Sequence, residues 1–205
     1  MSEEQSSLVE LVDLMARLRA ECGWKAAQTH RSLVRHLLEE TYETIEAIEA
    51  ADDGSIDDAH LAEELGDLLL QVYFHAAIAA ESGRFDIEDV AAGLRDKLIR
   101  RNPHVFGSIV ATDPAEINEH WESVKAEEKQ RKDVLEGIPL ALPALGRAAK
   151  VLDRLERAGT QVAIDPDSTD LGERLLALVV EARTTGVDPE QALRLSLRRI
   201  TDLGR

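Results

Sequence analysis

Apolar residues recur every three or four positions along most of the chain, which is the spacing of one face of an α-helix. Residues 6–21 place Leu8, Leu11, Met15 and Leu18 on one such face, after a serine that can cap the helix. The same pattern, punctuated by Gly, Pro, Asp and Ser, predicts further helices at about 29–50, 58–81, 86–101, 113–132, 142–158, 169–184 and 188–202. A loop is expected around Cys22-Gly23-Trp24, and only HVFGSIV (104–110) is a candidate strand. The chain is therefore predicted to be all-α.

The composition agrees with helices and limits the partners. Of 205 residues, 44% are hydrophobic and only 3% aromatic, while the strong helix formers Ala, Leu and Glu recur throughout. Lysine and arginine number 24 against 40 acidic residues, which gives a net charge of −16. Such a charge disfavours a nucleic acid polymer or an anionic membrane surface as a partner. A small phosphorylated ligand is compatible with it if a divalent cation neutralises the charge locally.

The sequence contains few features that indicate a cellular compartment. Cys22 is the single cysteine, so no disulfide within the chain and no thiolate zinc site is expected. The first residues, MSEEQSS, lack the basic and apolar segments of a secretion signal. No apolar run approaches the roughly 18 residues of a membrane span. We therefore expect a reduced, cytoplasmic protein without a membrane partner.

The predicted helix at 58–81 combines carboxylates with extensive apolar surface. Its one narrow polar stripe consists of Glu64, Asp67, Gln71 and His75. A helix this apolar on its other sides is expected to be mostly buried. Burying an unpaired carboxylate costs several kcal/mol, and no lysine or arginine lies between residues 36 and 83. A bound divalent cation is the economical compensation, and Gly66 is expected to let the neighbouring helix approach.

The preceding helix supplies further carboxylates. Glu39, Glu40 and Glu43 fall within an arc of about 100° on that helix. Taken alone, this helix is equally typical of a solvated acidic face. If the two helices pack antiparallel, Glu-x-x-Glu and Glu-x-x-Asp converge, and an all-oxygen ligand set suits Mg²⁺ or Mn²⁺. A di-iron site is disfavoured, because its Glu-x-x-His signature occurs nowhere in the chain.

Two further features suit a nucleotide. Lys97, Arg100 and Arg101 share one face at a helix end. Such residues commonly offset the helix dipole, but beside a carboxylate-bound cation they can hold phosphate oxygens. Trp24, in a loop that contains glycine, can stack on a base, although a lone tryptophan more often packs in a core.

Three stretches together resemble the MazG family of nucleoside triphosphate pyrophosphohydrolases. They are CGWKAAQTHRSLVRHLLEETYETIEAIEA, HLAEELGDLLLQVYFHAAIAAESGRFDIEDV and DKLIRRNPHVFG, and the likeness covers roughly residues 8–107 and extends to about 158. The resemblance implies an all-α, four-helix module that works as a homodimer or higher homo-oligomer. It also implies hydrolysis of nucleoside triphosphates between the α and β phosphates with Mg²⁺, for which Mn²⁺ can substitute, to a monophosphate and pyrophosphate, in nucleotide-pool housecleaning.

The resemblance also implies roles for individual residues. The implied metal ligands are Glu40, Glu43, Glu64 and Asp67. Glu39 is implied to orient or deprotonate the attacking water. The implied substrate contacts are Trp24, Lys97, Arg100 and Arg101. The family's C-P-W-D loop reads Cys22-Gly23-Trp24-Lys25 here. Two alternatives stay open: a selective dUTP or dCTP pyrophosphatase, and a non-enzymatic acidic helical protein that binds other proteins.

The C-terminal segment resembles part of a second copy of the module. Asp170-Leu171-Gly172-Glu173 echoes the earlier E-L-G-D, but no E-E-x-x-E helix precedes it. We therefore predict a catalytic domain at 1–110, a helical connection at 111–160 and a degenerate, non-catalytic repeat at 161–205.

Overall fold

The computed structural model describes residues 6–50, 55–107, 113–129 and 133–202. Within them the chain forms ten helices and no strand, which confirms the all-α prediction. No helix of these residues is long and apolar enough to cross a membrane. The chain divides into two compact units, residues 1–118 and 119–205.

The helices follow the predicted order. They are α1 Ser7–Glu21, α2 Gly23–Ala26, α3 Val34–Glu49, α4 Asp58–Ala80, α5 Ile87–Arg101, α6 Pro103–Phe106, α7 Pro114–Lys129, α8 Ala144–Arg157, α9 Leu171–Thr184 and α10 Pro189–Asp202. Seven of the eight predicted helices begin and end within a few residues of their predicted bounds, and capping side chains mark the starts of α4, α5 and α9. The Asp57 carboxylate, for example, accepts hydrogen bonds from the first backbone amides of α4, and Asp86 and Asp89 form a capping box at α5.

The core of the first unit lies between α1 and α4. Met15, Leu33 and Phe74 are almost fully buried, and Tyr73 packs beside them. The Tyr73 hydroxyl donates a hydrogen bond of 2.7 Å to the carbonyl of Leu8. The first helix therefore packs on α4 through buried apolar side chains and through the hydrogen bond of the Tyr73 hydroxyl.

Arg19 joins three segments of this unit. Its guanidinium forms a two-pronged ion pair with the Glu81 carboxylate, at 2.6 and 2.7 Å. A third nitrogen donates to the backbone carbonyls of Lys25 and Gln28. The pair raises the pKa of Arg19 and lowers that of Glu81. One side chain of α1 thus holds the end of α4 and the segment that follows α2.

Three local predictions were wrong. The expected loop at Cys22-Gly23-Trp24 includes the short helix α2. The helix expected from Thr29 begins at Val34, because Thr29 and Ser32 first close a turn with reciprocal bonds between side chains and backbone. Residues 104–106 of the candidate strand are helical, since Pro103 starts a helical turn, and residues 108–110 lie outside the described residues.

The apolar sides of α4 are less buried than the pattern predicted. Leu65 is 50% exposed and Val72 41% exposed, although the second half of the helix contributes to the core. A methyl group added at Gly66 would meet no atom within 4 Å in the described part of the chain. The expected role of Gly66 in a close approach of helices is therefore wrong within this chain.

The second unit contains its own small core, with Leu152 of α8 and Val179 of α9 buried. Arg183 of α9 pairs with Glu156 of α8 at 2.5 Å, which reinforces the contact between these helices. The division into functional segments at 1–110, 111–160 and 161–205 stays a prediction.

We expect Met15→Ala to lower the free energy of unfolding by about 2–5 kcal/mol, because it leaves a cavity in the core. Urea unfolding followed by circular dichroism measures this loss. Leu14→Ala on the same helix is the matched control, since Leu14 is 48% exposed. Equal losses in the two variants would contradict the assigned core.

Candidate active site

The geometry of the site follows from the packing of α3 against α4, which is the most extensive helix contact of the chain. The buried Thr44 hydroxyl donates to the Glu40 carbonyl at 2.8 Å and lies 3.4 Å from the Glu64 carbonyl. His30, ahead of α3, contacts His75 far along α4. A residue in the second half of α3 therefore contacts the start of α4, and a residue ahead of α3 contacts the far part of α4. The two helices run antiparallel, as expected.

Carboxylates from both helices meet at this contact. Glu40, Glu43 and Glu64 each place one oxygen within 4.8 Å of the others. The Glu64 side chain is only 13% exposed, Glu40 is half-buried and Glu43 is exposed. The cluster therefore lies at the edge of the helix pair, where a small ligand can reach it.

Asp67 belongs to the same electrostatic neighbourhood. Burial raises the pKa of Glu40, and the negative charges of Asp67, Glu43 and Glu64 raise it further. All four carboxylates that the sequence singled out are therefore near one another, and the other three repel the negative charge of Glu40.

The donor set fits a hard divalent cation. It consists of carboxylate oxygens from two helices. Burial, and then the neighbouring negative charges, raise the pKa of Glu40, and a bound cation would offset both effects. Such oxygen-only sets are typical of Mg²⁺ and Mn²⁺. His60, which sequence reasoning missed, adds a ring nitrogen 3.5 Å from Glu64; its spacing of four residues from Glu64 was the available signal.

The Glu39 carboxylate contacts His36. Its Oε2 atom lies 3.0 Å from the His36 Nδ1 atom, and its side chain is 60% exposed. The His36 ring meets the Trp24 ring edge to face, with centroids 5.9 Å apart and an interplanar angle of 72°. A continuous set of contacts thus joins the predicted base-stacking residue to the carboxylate next to the cluster.

Trp24 is on the surface, and the alternative that it packs in a core is excluded. It is 52% exposed. The Lys25 ammonium lies 5.5 Å from the Trp24 ring and 5.4 Å from the Phe74 ring. This cation therefore contacts an aromatic ring of α2 and one of α4.

The basic trio at the end of α5 is not uniformly exposed. Lys97 is half-buried, Arg100 is exposed and Arg101 is 8% exposed. The three residues therefore do not form one open cationic surface. Their contact with a phosphate stays a prediction.

Comparisons with known proteins agree with this arrangement. Residues 28–106 match the family model of the MazG nucleotide pyrophosphohydrolase domain. One relative is an uncharacterized 26.1 kDa protein in the blaB 3′ region of Streptomyces cacaoi. The chain is 48% identical to it over 190 residues, which are 91% of this chain and 76% of the relative. It is 39% identical, over 98% of this chain and 86% of the relative, to the nucleoside triphosphate pyrophosphohydrolase/pyrophosphatase MazG of Thermotoga maritima. It is also 40% identical to the nucleoside triphosphate pyrophosphohydrolase of Escherichia coli K12, over 87% of this chain and 68% of that relative.

An antiparallel helix pair with converging carboxylates and this degree of identity define the class. The chain belongs to the MazG family of nucleotide pyrophosphohydrolases.

Glu40 predicts how the stability of the cation-free protein depends on pH. Because its pKa is raised in the folded state, its contribution to stability is complete below the unfolded pKa and is lost as the pH rises through the folded pKa. In EDTA, Glu40→Gln should therefore be more stable than the unaltered protein at neutral pH, and the difference should vanish in acid. Urea titrations across this range measure it, with Glu63→Gln as control. A difference that does not change with pH would contradict the prediction.

Proposed function

We propose that this protein hydrolyses nucleoside triphosphates between the α and β phosphates, releasing a nucleoside monophosphate and pyrophosphate. The convergence of carboxylates from α3 and α4 carries the proposal. Family membership supports it, and so do the names of the Thermotoga and Escherichia relatives. This membership favours an enzyme over a non-enzymatic acidic binding protein.

Glu40, Glu43, Glu64 and Asp67 would hold Mg²⁺, with Mn²⁺ as a substitute. A bound cation of this kind neutralises phosphate charge and makes a water molecule more acidic. The protein's own part is to hold the four carboxylates ready on two packed helices, so that little reorganisation is needed when the substrate arrives.

Glu39 would accept the proton of the attacking water. Its Oε2 atom is engaged by His36 at 3.0 Å, which leaves Oε1 for the water. Orientation of the carboxylate by His36 would reduce the entropy lost when the water is positioned.

The remaining predicted residues would bind the substrate. Lys97, Arg100 and Arg101 would offset charge on the leaving pyrophosphate. Trp24 is 52% exposed, and its indole would stack on a nucleobase. Since stacking accepts any base, we propose a broad range of canonical and damaged nucleoside triphosphates, in a housecleaning role; a selective dUTP or dCTP pyrophosphatase is the alternative that a substrate panel tests.

Glu64→Gln should abolish pyrophosphate release, because it removes a ligand whose side chain is only 13% exposed. The assay measures pyrophosphate and phosphate separately with a panel of nucleoside triphosphates at millimolar Mg²⁺. Glu63→Gln is the matched control: it is exposed on the same helix, and we expect near-normal rates. Near-normal turnover in Glu64→Gln would contradict the assignment of Glu64 as a metal ligand.

We also propose that residues 161–205 are a degenerate repeat without catalytic function. The Asp170 carboxylate accepts a hydrogen bond of 2.8 Å from the Glu173 amide and caps α9. Among the described residues, the one carboxylate group suited to a metal lies in the first unit. Glu173→Ala should therefore keep full activity in the same assay, and its inactivity with the fold intact would contradict this assignment.

A homodimer is proposed from the uncovered apolar faces of the first unit. Leu38 and Tyr42 share one face of α3 and are 52% and 47% exposed, and Leu65 and Val72 share one face of α4. Monomers rarely leave such surfaces in water.

Light scattering should accordingly give a mass of about twice the 22.6 kDa of one chain. Val72→Lys should shift the equilibrium toward the monomer, since a charge would enter the interface. A monomer at micromolar concentration in the unaltered protein would contradict the dimer.

A further inference from the structure

The polar stripe of α4 continues past the carboxylate cluster to two buried atoms without partners. Gln71 is 4% exposed. Its Oε1 atom and the Nε2 atom of His75 are buried and have no hydrogen-bond partner among the described residues. Buried polar groups are nearly always satisfied, so a pair of exceptions one helical turn apart requires an explanation.

The contacts of His75 determine what its free nitrogen offers. Arg84 lies 2.8 Å from the His30 Nε2 atom, and because a guanidinium only donates, His30 accepts there. A neutral His30 then carries its proton on Nδ1, which lies 2.7 Å from the His75 Nδ1 atom.

The two rings meet edge to edge in a common plane. Their interplanar angle is 2°, and their centroids are 5.0 Å apart. This centroid distance exceeds the 2.7 Å between the two Nδ1 atoms by about the width of one ring. The nitrogens therefore point at each other, and His30 donates to His75. His75 must then carry its own proton on Nε2.

Gln71 thus presents a free acceptor, and His75 presents a free donor. Both lie on the stripe that begins with Glu64 and Asp67, at about 6 and 12 Å from Asp67 along the helix axis. The nucleoside of a triphosphate is attached to the α-phosphate, the group at which hydrolysis is proposed. Its polar groups are therefore within reach of this part of the stripe.

Two contacts connect Trp24 of α2 to the helices that bear the stripe. The Lys25 ammonium lies over both the Trp24 ring and the ring of Phe74, which precedes His75 in sequence. The His36 ring, on the helix that packs against α4, meets the Trp24 ring edge to face. The predicted base-stacking residue is therefore linked by contacts to α3 and to the part of α4 that carries Gln71 and His75.

We propose that Gln71 and His75 form a polar subsite that binds the nucleoside of the substrate through one acceptor and one donor. This inference rests on the proposed function. The matching chemistry is an N–H or O–H next to a carbonyl, ring nitrogen or hydroxyl oxygen, as on the edge of a nucleobase or on the ribose. Stacking on Trp24 would tolerate any base, whereas this pair would discriminate among nucleosides.

The test compares kcat/KM for nucleoside triphosphates that differ in base, and for ribo-, deoxy- and dideoxy-forms of one base, with pyrophosphate release at fixed Mg²⁺. Gln71→Met and His75→Phe should each change the ratios between substrates by about tenfold or more, because a substrate group loses its buried partner. His75→Gln, which restores an N–H, should recover part of the difference. Changed base ratios would assign the subsite to the base, and a changed ribo-to-deoxy ratio would assign it to the sugar.

Tyr73→Phe is the matched control. It removes the 2.7 Å hydrogen bond to Leu8, a buried polar contact on the same helix but off the stripe, and should lower the melting temperature without altering any ratio. Gln71→Met should not lower the melting temperature, because its acceptor has no partner in the free chain.

Unchanged ratios in Gln71→Met and His75→Phe, with pyrophosphate still released, would overturn the subsite alone. That result would mean that water or a second copy satisfies the two atoms. No pyrophosphate from the unaltered protein would overturn the proposed function, and the subsite with it.

Discussion

The repulsion among four carboxylates is the constraint on which the candidate site depends. The backbones that carry Glu40 and Glu64 are held close together, because the buried Thr44 and the extensive packing join α3 to α4. The free energy that keeps the acids close is thus supplied by apolar burial elsewhere in the helix pair. The cluster is a preorganised negative site in which burial, and then the neighbouring carboxylates, raise the pKa of Glu40.

The same helix pair separates two chemical tasks along its length. The carboxylates lie near the middle of α3 and in the first half of α4, whereas His30 precedes α3 and His75 lies in the second half of α4. His36, which contacts Trp24, lies in the first turn of α3, between His30 and Glu40 in sequence. A nucleotide has the same polarity, with charge at one end and a flat, hydrogen-bonding group at the other, so an antiparallel pair of helices can match it along its whole length.

Periodicity and capping residues predicted the helices, the antiparallel pair and the neighbourhood of Glu40, Glu43, Glu64 and Asp67, because these follow from local spacing. The burial of Arg101, the exposure of Leu65 and the open surroundings of Gly66 depend on which surface another element covers, and spacing along one helix does not contain that information. The contact between His30 and His75 joins residues 45 positions apart. No local pattern marks such a pair.

The first helix lies ahead of the matched family domain, yet the fold of the first unit depends on it. The segment that matches the family begins at residue 28, yet Met15 fills its core, and Arg19 holds both the end of α4 and the backbone that follows Trp24. The matched family domain is therefore shorter than the unit of folding. A chain cut at the family boundary would keep every carboxylate of the cluster and lose the side chains that hold its scaffold in place.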